Sequence, residues 1–400
     1  MTNKSIPYQS FCWVIGTTSF RTAKLNLKIE AQLLLLDEFY NEVIKKSNWN
    51  WNNELQEKYY DFMKNKAFLT GDAKRKDKDA REKTSGLVDI GLITEDRLIT
   101  DAGRNLLKIT SSGDFEPNNV FNINRDSFIY LKQLLKTSID VSGSIVRPFI
   151  AVIKCLTELE FLSYDEFTYF VPLIIDYESA KQIISDIKLY REGKISPEEI
   201  IYKRLMQMDN YKLAREEFIA SDVDENLICL VGMNRKSRSY DKPYYKLYEN
   251  LKKVFLDGIS DYESLLNSAK NINQKPGTLW RSLIFKTTNI GVVRKNGKSS
   301  IHKQCPFINC KNETELKKVF FKYLHVFKAM ATLSDYFDLN RRYFNITDTL
   351  IFEDRMIKLD MIPKYYFKEI IDILYTETFS RDNNLRADAL LETISEAFKL

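Results

Sequence analysis

The apolar positions of this chain recur mostly at helical spacing, broken by a few short segments of strand-like alternation. Leu33, Leu36, Phe39, Tyr40 and Ile44 fall on one side of a helix expected over residues 27–46. A second amphipathic helix is expected over residues 52–64. The segment before them, FCWVIGTTSFRTAKLNLKIE, mixes aromatic, β-branched and polar residues and reads as extended or loop-like. The next stretch, GDAKRKDKDAREKTSGLVDIGLITEDRLITDAGRNLL, opens as a highly charged helix with Ala80, Leu87 and Ile90 on its inner side. After Gly91 the pattern changes to two apolar pairs, Leu92 with Ile93 and Leu98 with Ile99, around the polar turn Thr94 to Arg97. Asp101 is expected to cap a further helix through Leu107. A helix followed at once by a tiny hairpin is the outline of a winged helix.

That outline recurs. Residues 274–290 read as helix, with GVVRKNGKSSI after them as strand, basic turn and strand. Near the C-terminus, FNITDTLIFEDRMIKLDMIPKYYF offers a hairpin ahead of a helix, and its LIFEDRMI echoes LITEDRLI. Residues 147–160, 163–170 and 177–191 read as three short helices, compatible with another helix-turn-helix core. The spacing is too irregular for a solenoid. Residues 111–119, 191–199 and 234–243 read as linkers. The expected fold is therefore mainly α with short β-hairpins: tandem winged-helix (helix-turn-helix-like) subdomains plus a helical linker. The expected divisions are an N-terminal winged-helix recognition subdomain over 1–115, a second helical or winged-helix subdomain over 116–235, a third winged-helix-like unit over 236–310, and a helical region with a hairpin over 311–400.

Composition agrees with folded domains, since 44% of residues are hydrophobic and there are 25 Phe and 22 Tyr. Gly and Pro are scarce, at 13 and 9, which argues against a β-sandwich or a Gly-rich phosphate binder. A net charge of +5 excludes a histone-like polycation, so the placement of charge matters more than its total. Five scattered cysteines fit free thiols in a reducing compartment, and no apolar run is long enough for a membrane span. The expected location is the cytoplasm.

Three basic clusters are candidates for DNA contact. Lys74, Arg75, Lys78, Arg81 and Lys83 crowd the charged helix, and Arg75, Lys78 and Arg81 share a face. Arg reads guanine bidentately and Lys neutralises phosphate. Asp77, Asp79 and Glu82 alternate with these bases, so a solvated helix laced with its own ion pairs is the competing explanation. Arg235, Lys236 and Arg238 beside Tyr240, Tyr244 and Tyr245 form either a backbone grip or an exposed linker. Arg294, Lys295 and Lys298 fall on the expected third wing tip, while Arg21 and Arg97 would fix the approach to the duplex. His302, Cys305 and Cys310 lack a fourth ligand for structural zinc. Glu315 and Lys317 have residue types suited to a Mg²⁺ nuclease but lie in a helical pattern, so no metal site and no catalytic residue are assigned.

TTSFRT, LITEDRLITDAGRNLL, RPFIAVIKCLTELEFLSYDEF, TLWRSLIFKTTNIGVVRKNGKSSI and LIFEDRMIKLDMIPKYYF, in this order, resemble the AlwI family of type IIS restriction and nicking endonucleases. The resemblance implies a two-part enzyme. Winged-helix subdomains would bind a short asymmetric site on double-stranded DNA, as a monomer while searching. A Mg²⁺-dependent PD-(D/E)xK nuclease domain would cut nearby. Its elements are not visible in the chain, which is therefore expected to be a recognition fragment; a nuclease in another subunit, or a nuclease domain diverged beyond recognition, are the alternatives. A non-enzymatic winged-helix DNA binder, such as a replication initiator or repressor, is the alternative, and a protein-interaction module the third reading.

Overall fold

Helices form where apolar positions recur every third or fourth residue and a polar side chain is at hand to cap the first turn. The computed structural model describes residues 5–43 and 49–378. It is mainly helical with small antiparallel sheets. The first expected helix is Leu25–Val43, while Ile44 and the expected end of that helix lie outside the described residues. Leu33, Leu36 and Phe39 are buried as expected, but Tyr40 is exposed. Asn52 caps Asn53–Asn65 through the Leu55 amide, and Ser163 and Ser196 build capping boxes with Glu166 and Glu199. The three short helices follow as Pro148–Leu159, Tyr164–Tyr169 and Tyr177–Arg191.

The described chain divides into two compact units. The first gathers residues 12–188 with 335–400, and the second gathers residues 1–11 with 189–334. The boundaries expected at 115, 235 and 310 all fall inside these units.

In the first unit, the segment from Cys12 to Ile15 forms no helix or strand and is largely buried, pinned by Trp13 N–H on the Pro172 carbonyl and Ile15 N–H on Asn340 Oδ1. Trp13, Phe149 and Phe167 surround Phe344 at centroid distances of 5.3–6.2 Å. Helix Lys76–Asp89 buries Ala80 and Leu87, and Ile90 follows them inward. It ends at Gly91, whose φ of 68° lies in the left-handed region. Gln133 Nε2 donates to the Ile90 and Gly91 carbonyls at 2.9 and 3.0 Å, satisfying acceptors that the helix leaves free. The hairpin expected after it shrinks to one bridge, Ile93 with Ile99, because helix Asp101–Ser112 begins immediately. Thr100 caps that helix, not Asp101 as expected, since its hydroxyl reaches the Gly103 amide.

The C-terminal hairpin is present as Leu350–Glu353 paired with Met356–Leu359, ahead of helix Met361–Thr378. Asp354 and Arg355 both take positive φ at its turn, as a two-residue hairpin of this hand requires. Leu162–Ser163 adds a third strand with Leu162 opposite Ile357. A further hairpin, Ile139–Val141 with Ser144–Val146, was not anticipated in the sequence.

In the second unit the structure corrects the third expected wing. The helix read as 274–290 ends at Ile284, and GVVRKNGKSSI is not a hairpin. Its residues form helix Ile290–Asn296 and a 3₁₀ turn Gly297–Ser300. Strand pairing does occur nearby, but between Phe285 and Ile301. Once those outer positions pair, the chain between them satisfies its backbone by coiling, with Asn289 capping the helix through the Val292 amide. Among the described residues no helix is long and apolar enough to cross a membrane.

Candidate nucleic-acid interface

The Phe285–Ile301 bridge closes a lobe. Lys286 N–H meets the Ser300 carbonyl, and His302 N–H meets the Ile284 carbonyl, each at 2.9 Å. Val293, Ile284 and Phe285 are buried within it, and Trp280, also buried, stacks on Phe307 at 6.1 Å. Gly297, at φ 51° and ψ −127°, allows the helix to turn directly into the 3₁₀ segment, a conformation hostile to any side chain. The polar side of the lobe carries exposed Lys286, Arg294, Lys295 and Lys298, with exposed Lys303 just beyond the closing bridge.

This lobe lies within an acid-free run that charge clusters alone did not reveal. Residues 264–312 contain no Asp or Glu, yet carry Lys270, Lys275, Arg281, Lys286, Arg294, Lys295, Lys298, Lys303 and Lys311. Nine positive charges in this run, against +5 for the whole chain, leave the remaining residues at −4. Arg294 is held bidentately by Glu263 at 2.7 and 2.6 Å. Lys286 donates to the Ser299 carbonyl. No ion pair joins Lys270, Lys295, Lys298, Lys303 or Lys311 to a carboxylate among the described residues. Counting acids as well as bases along the sequence would have found this surface.

The charged helix Lys76–Asp89 is different. Arg75 and Arg81 converge on Asp77 at 2.7 and 3.4 Å, and the Arg75 guanidinium holds that carboxyl below its ordinary range. Lys78 faces Glu82 at 3.5 Å, and Lys83 faces Asp79 at 3.9 Å. Lys74 is exposed just before the helix. The internal ion-pair arrangement weighed in the sequence is thus the geometry adopted.

Arg97 sits inside its turn. Its side chain is only 11% exposed, its Nε donates to Thr84 Oγ1 at 3.1 Å, and its guanidinium lies over the Trp51 ring at 5.6 Å. Arg21 is exposed and donates to the Asp335 carbonyl at 2.6 Å. Arg235, Lys236 and Arg238 are exposed together with Tyr240, between buried Met233 and buried Asp241.

The residues weighed for metal chemistry have other occupations. Both Cys305 and Cys310 are buried, and burial pushes the Cys305 thiol up to about 11 and raises that of Cys310. Lys317 donates to the Ser221 carbonyl at 2.7 Å, and Glu315 accepts from the Lys311 amide. Glu30 and Asp126 are buried carboxyls, and Tyr130 donates its hydroxyl to Glu30 Oε1 at 3.2 Å. Burial, helped by the Asp126 charge, pushes Glu30 up to about 7. A carboxyl that holds its proton near neutrality is poorly suited to Mg²⁺. Among the described residues no three His, Cys, Asp or Glu side chains converge as metal ligands, so no step through Mg²⁺ is assigned to them.

No curated protein matches the chain. The sequence model of the AlwI restriction endonuclease family matches residues 88–396, a span that takes in helix Asp101–Ser112, the basic lobe and the C-terminal hairpin. With well over half of its length matched, the chain belongs to the AlwI restriction endonuclease family.

Proposed function

We propose that this chain recognises a short asymmetric site on double-stranded DNA, as the DNA-reading portion of a type IIS restriction or nicking endonuclease, and that the lobe closed by Phe285 and Ile301 makes its main contact with the phosphate backbone. The observation that carries this reading is the acid-free run of residues 264–312, with five lysines that pair with no carboxylate among the described residues. Cations without internal partners are the ones that exchange salt counterions for phosphate. Family membership supports DNA as the substrate. Base reading falls to the module of helix Lys76–Asp89, the turn at residues 94–97 and helix Asp101–Ser112, in the manner of a winged helix. Arg75, Lys78 and Arg81 would exchange their intrahelical carboxylates for base edges or phosphates there, with Lys74 and Lys83 beside them. The free, buried cysteines suit a cytoplasmic location. Mg²⁺, typical of restriction endonucleases, would serve a nuclease centre outside the residues described.

Selection of bound duplexes from a random pool tests the reading without requiring cleavage. A single asymmetric consensus bound by a monomer is the expected result. A palindromic consensus bound by a dimer would instead indicate a repressor-like binder, and binding that ignores salt would point to a protein partner.

A further inference from the structure

Residues 234–240, NRKSRSY, carry three cations and no acid, and from Arg235 to Tyr240 every residue is exposed. Such a segment reads as a slack linker, yet local hydrogen bonds shape its backbone. Helix Glu225–Val231 ends at Gly232, and Met233 turns the chain with a left-handed φ of 49°. Asn234 Oδ1 accepts from the Lys236 and Ser237 amides at 3.0 and 3.4 Å. Ser237 Oγ accepts from the Ser239 amide, which leads into the 3₁₀ turn Arg238–Asp241.

The base of this arch is clamped by one ammonium group. Lys328 Nζ donates to the Gly232 carbonyl at 2.5 Å and to the two Asp241 carboxylate oxygens at 2.8 and 3.0 Å. All three of its donors are thereby used, one on the entering limb and two on the leaving limb. Asp241 is 1% exposed, and a Cβ at position 232 would lie 2.3 Å from its Oδ2, so glycine is what lets the two limbs close. A buried ion pair is an inefficient way to stabilise a fold, because desolvation offsets most of its attraction. Its distinctive contribution here is geometric. It closes the base of the short arch that carries Arg235, Lys236 and Arg238, which would lower the ordering entropy lost when they bind a row of anions.

We propose that residues 234–240 are a preorganised grip for the sugar-phosphate backbone of duplex DNA, and that Lys328, acting through Asp241, is its positioning residue. This inference rests on the DNA reading above. Lys328 does not touch the duplex.

The test measures binding of the full chain to a random-sequence duplex as a function of salt. The triple variant R235Q/K236Q/R238Q is expected to flatten the slope of log affinity against log salt by about 2–3, given about 0.9 per phosphate neutralised. K328M keeps every cation of the arch, yet is expected to flatten the slope by at least about 1 and to weaken binding about tenfold near 0.1 M salt. Added to the triple variant, K328M should change binding no further, and K328R should restore part of the loss. A K328M slope equal to the parent's, or effects of K328M and the triple variant that simply add, would overturn the positioning role. D241N carries the same test should K328M fail to fold. A parent that binds duplex with an unchanged slope in the triple variant sinks the grip alone. A parent without salt-dependent duplex binding sinks the DNA reading and the grip with it.

Discussion

Replacing Lys295, Lys298 and Lys303 together by Gln should damage duplex binding far more than the matching replacement of Arg75, Lys78 and Arg81. The difference is electrostatic. The three lobe lysines are exposed and lack a carboxylate partner among the described residues, so their charge is available to phosphate. Removing one lysine that neutralises a phosphate should flatten the salt slope by about 0.9, which at 0.1 M salt corresponds to about an eightfold weaker affinity. Three such lysines amount to a slope change of about 2.7 and a weakening of about 500-fold. Arg75, Lys78 and Arg81 already face Asp77 and Glu82 on their own helix, and a phosphate must compete with those carboxylates. Their joint removal should change the slope by less than about 1, the value of a single neutralised phosphate. Fluorescence anisotropy of a labelled random-sequence duplex, titrated with protein over roughly 0.05 to 0.3 M KCl, reads both slopes. Thermal melting of each variant separates impaired binding from impaired folding. A large slope change in the helix variant with none in the lobe variant would refute this ranking and place the phosphate-binding cations on helix Lys76–Asp89.

Two further outcomes follow from the packing. Glu30, raised from 4.5 to about 7 mainly by burial and then by Asp126, binds its proton more tightly folded than unfolded. Its contribution is therefore present below about pH 4.5 and is lost as pH rises through about 7. At 1.36 kcal/mol per pH unit the full effect would be about 3 kcal/mol, reduced to about 1–2 by water reaching part of the carboxyl. Glu30→Gln should flatten the fall in urea stability between pH 5 and pH 7.5, and a slope unchanged from the parent would discount the buried carboxyl as its source. Gly277→Ala should destabilise by about 1–3 kcal/mol, because the new Cβ would lie 1.9 Å from the Ile272 carbonyl oxygen. Gly71→Ala, with nothing within 4 Å, is the control, and equal melting temperatures for the two variants would contradict the close approach.

The sequence by itself determined most of the helices of the first unit and the C-terminal hairpin. These depend on neighbours within one or two turns, as Ser163 with Glu166 and Asp354 with Arg355 illustrate. It also contained the self-pairing of helix Lys76–Asp89, whose acids sit two to four positions from its bases, and the acid-free run that marks the lobe. The lobe's shape was not legible, since Val292 and Val293 fit a strand as readily as a helix. Only the tertiary structure paired Phe285 with Ile301 and left the residues between them to coil. It also decided which cations are spent and which remain available. Arg294 finds Glu263 across 31 residues, Arg97 turns inward onto Trp51, and Lys328 reaches Asp241 across 87. A charge's partner is set by distance in space, and local pattern reports that distance only within a helix turn or a hairpin.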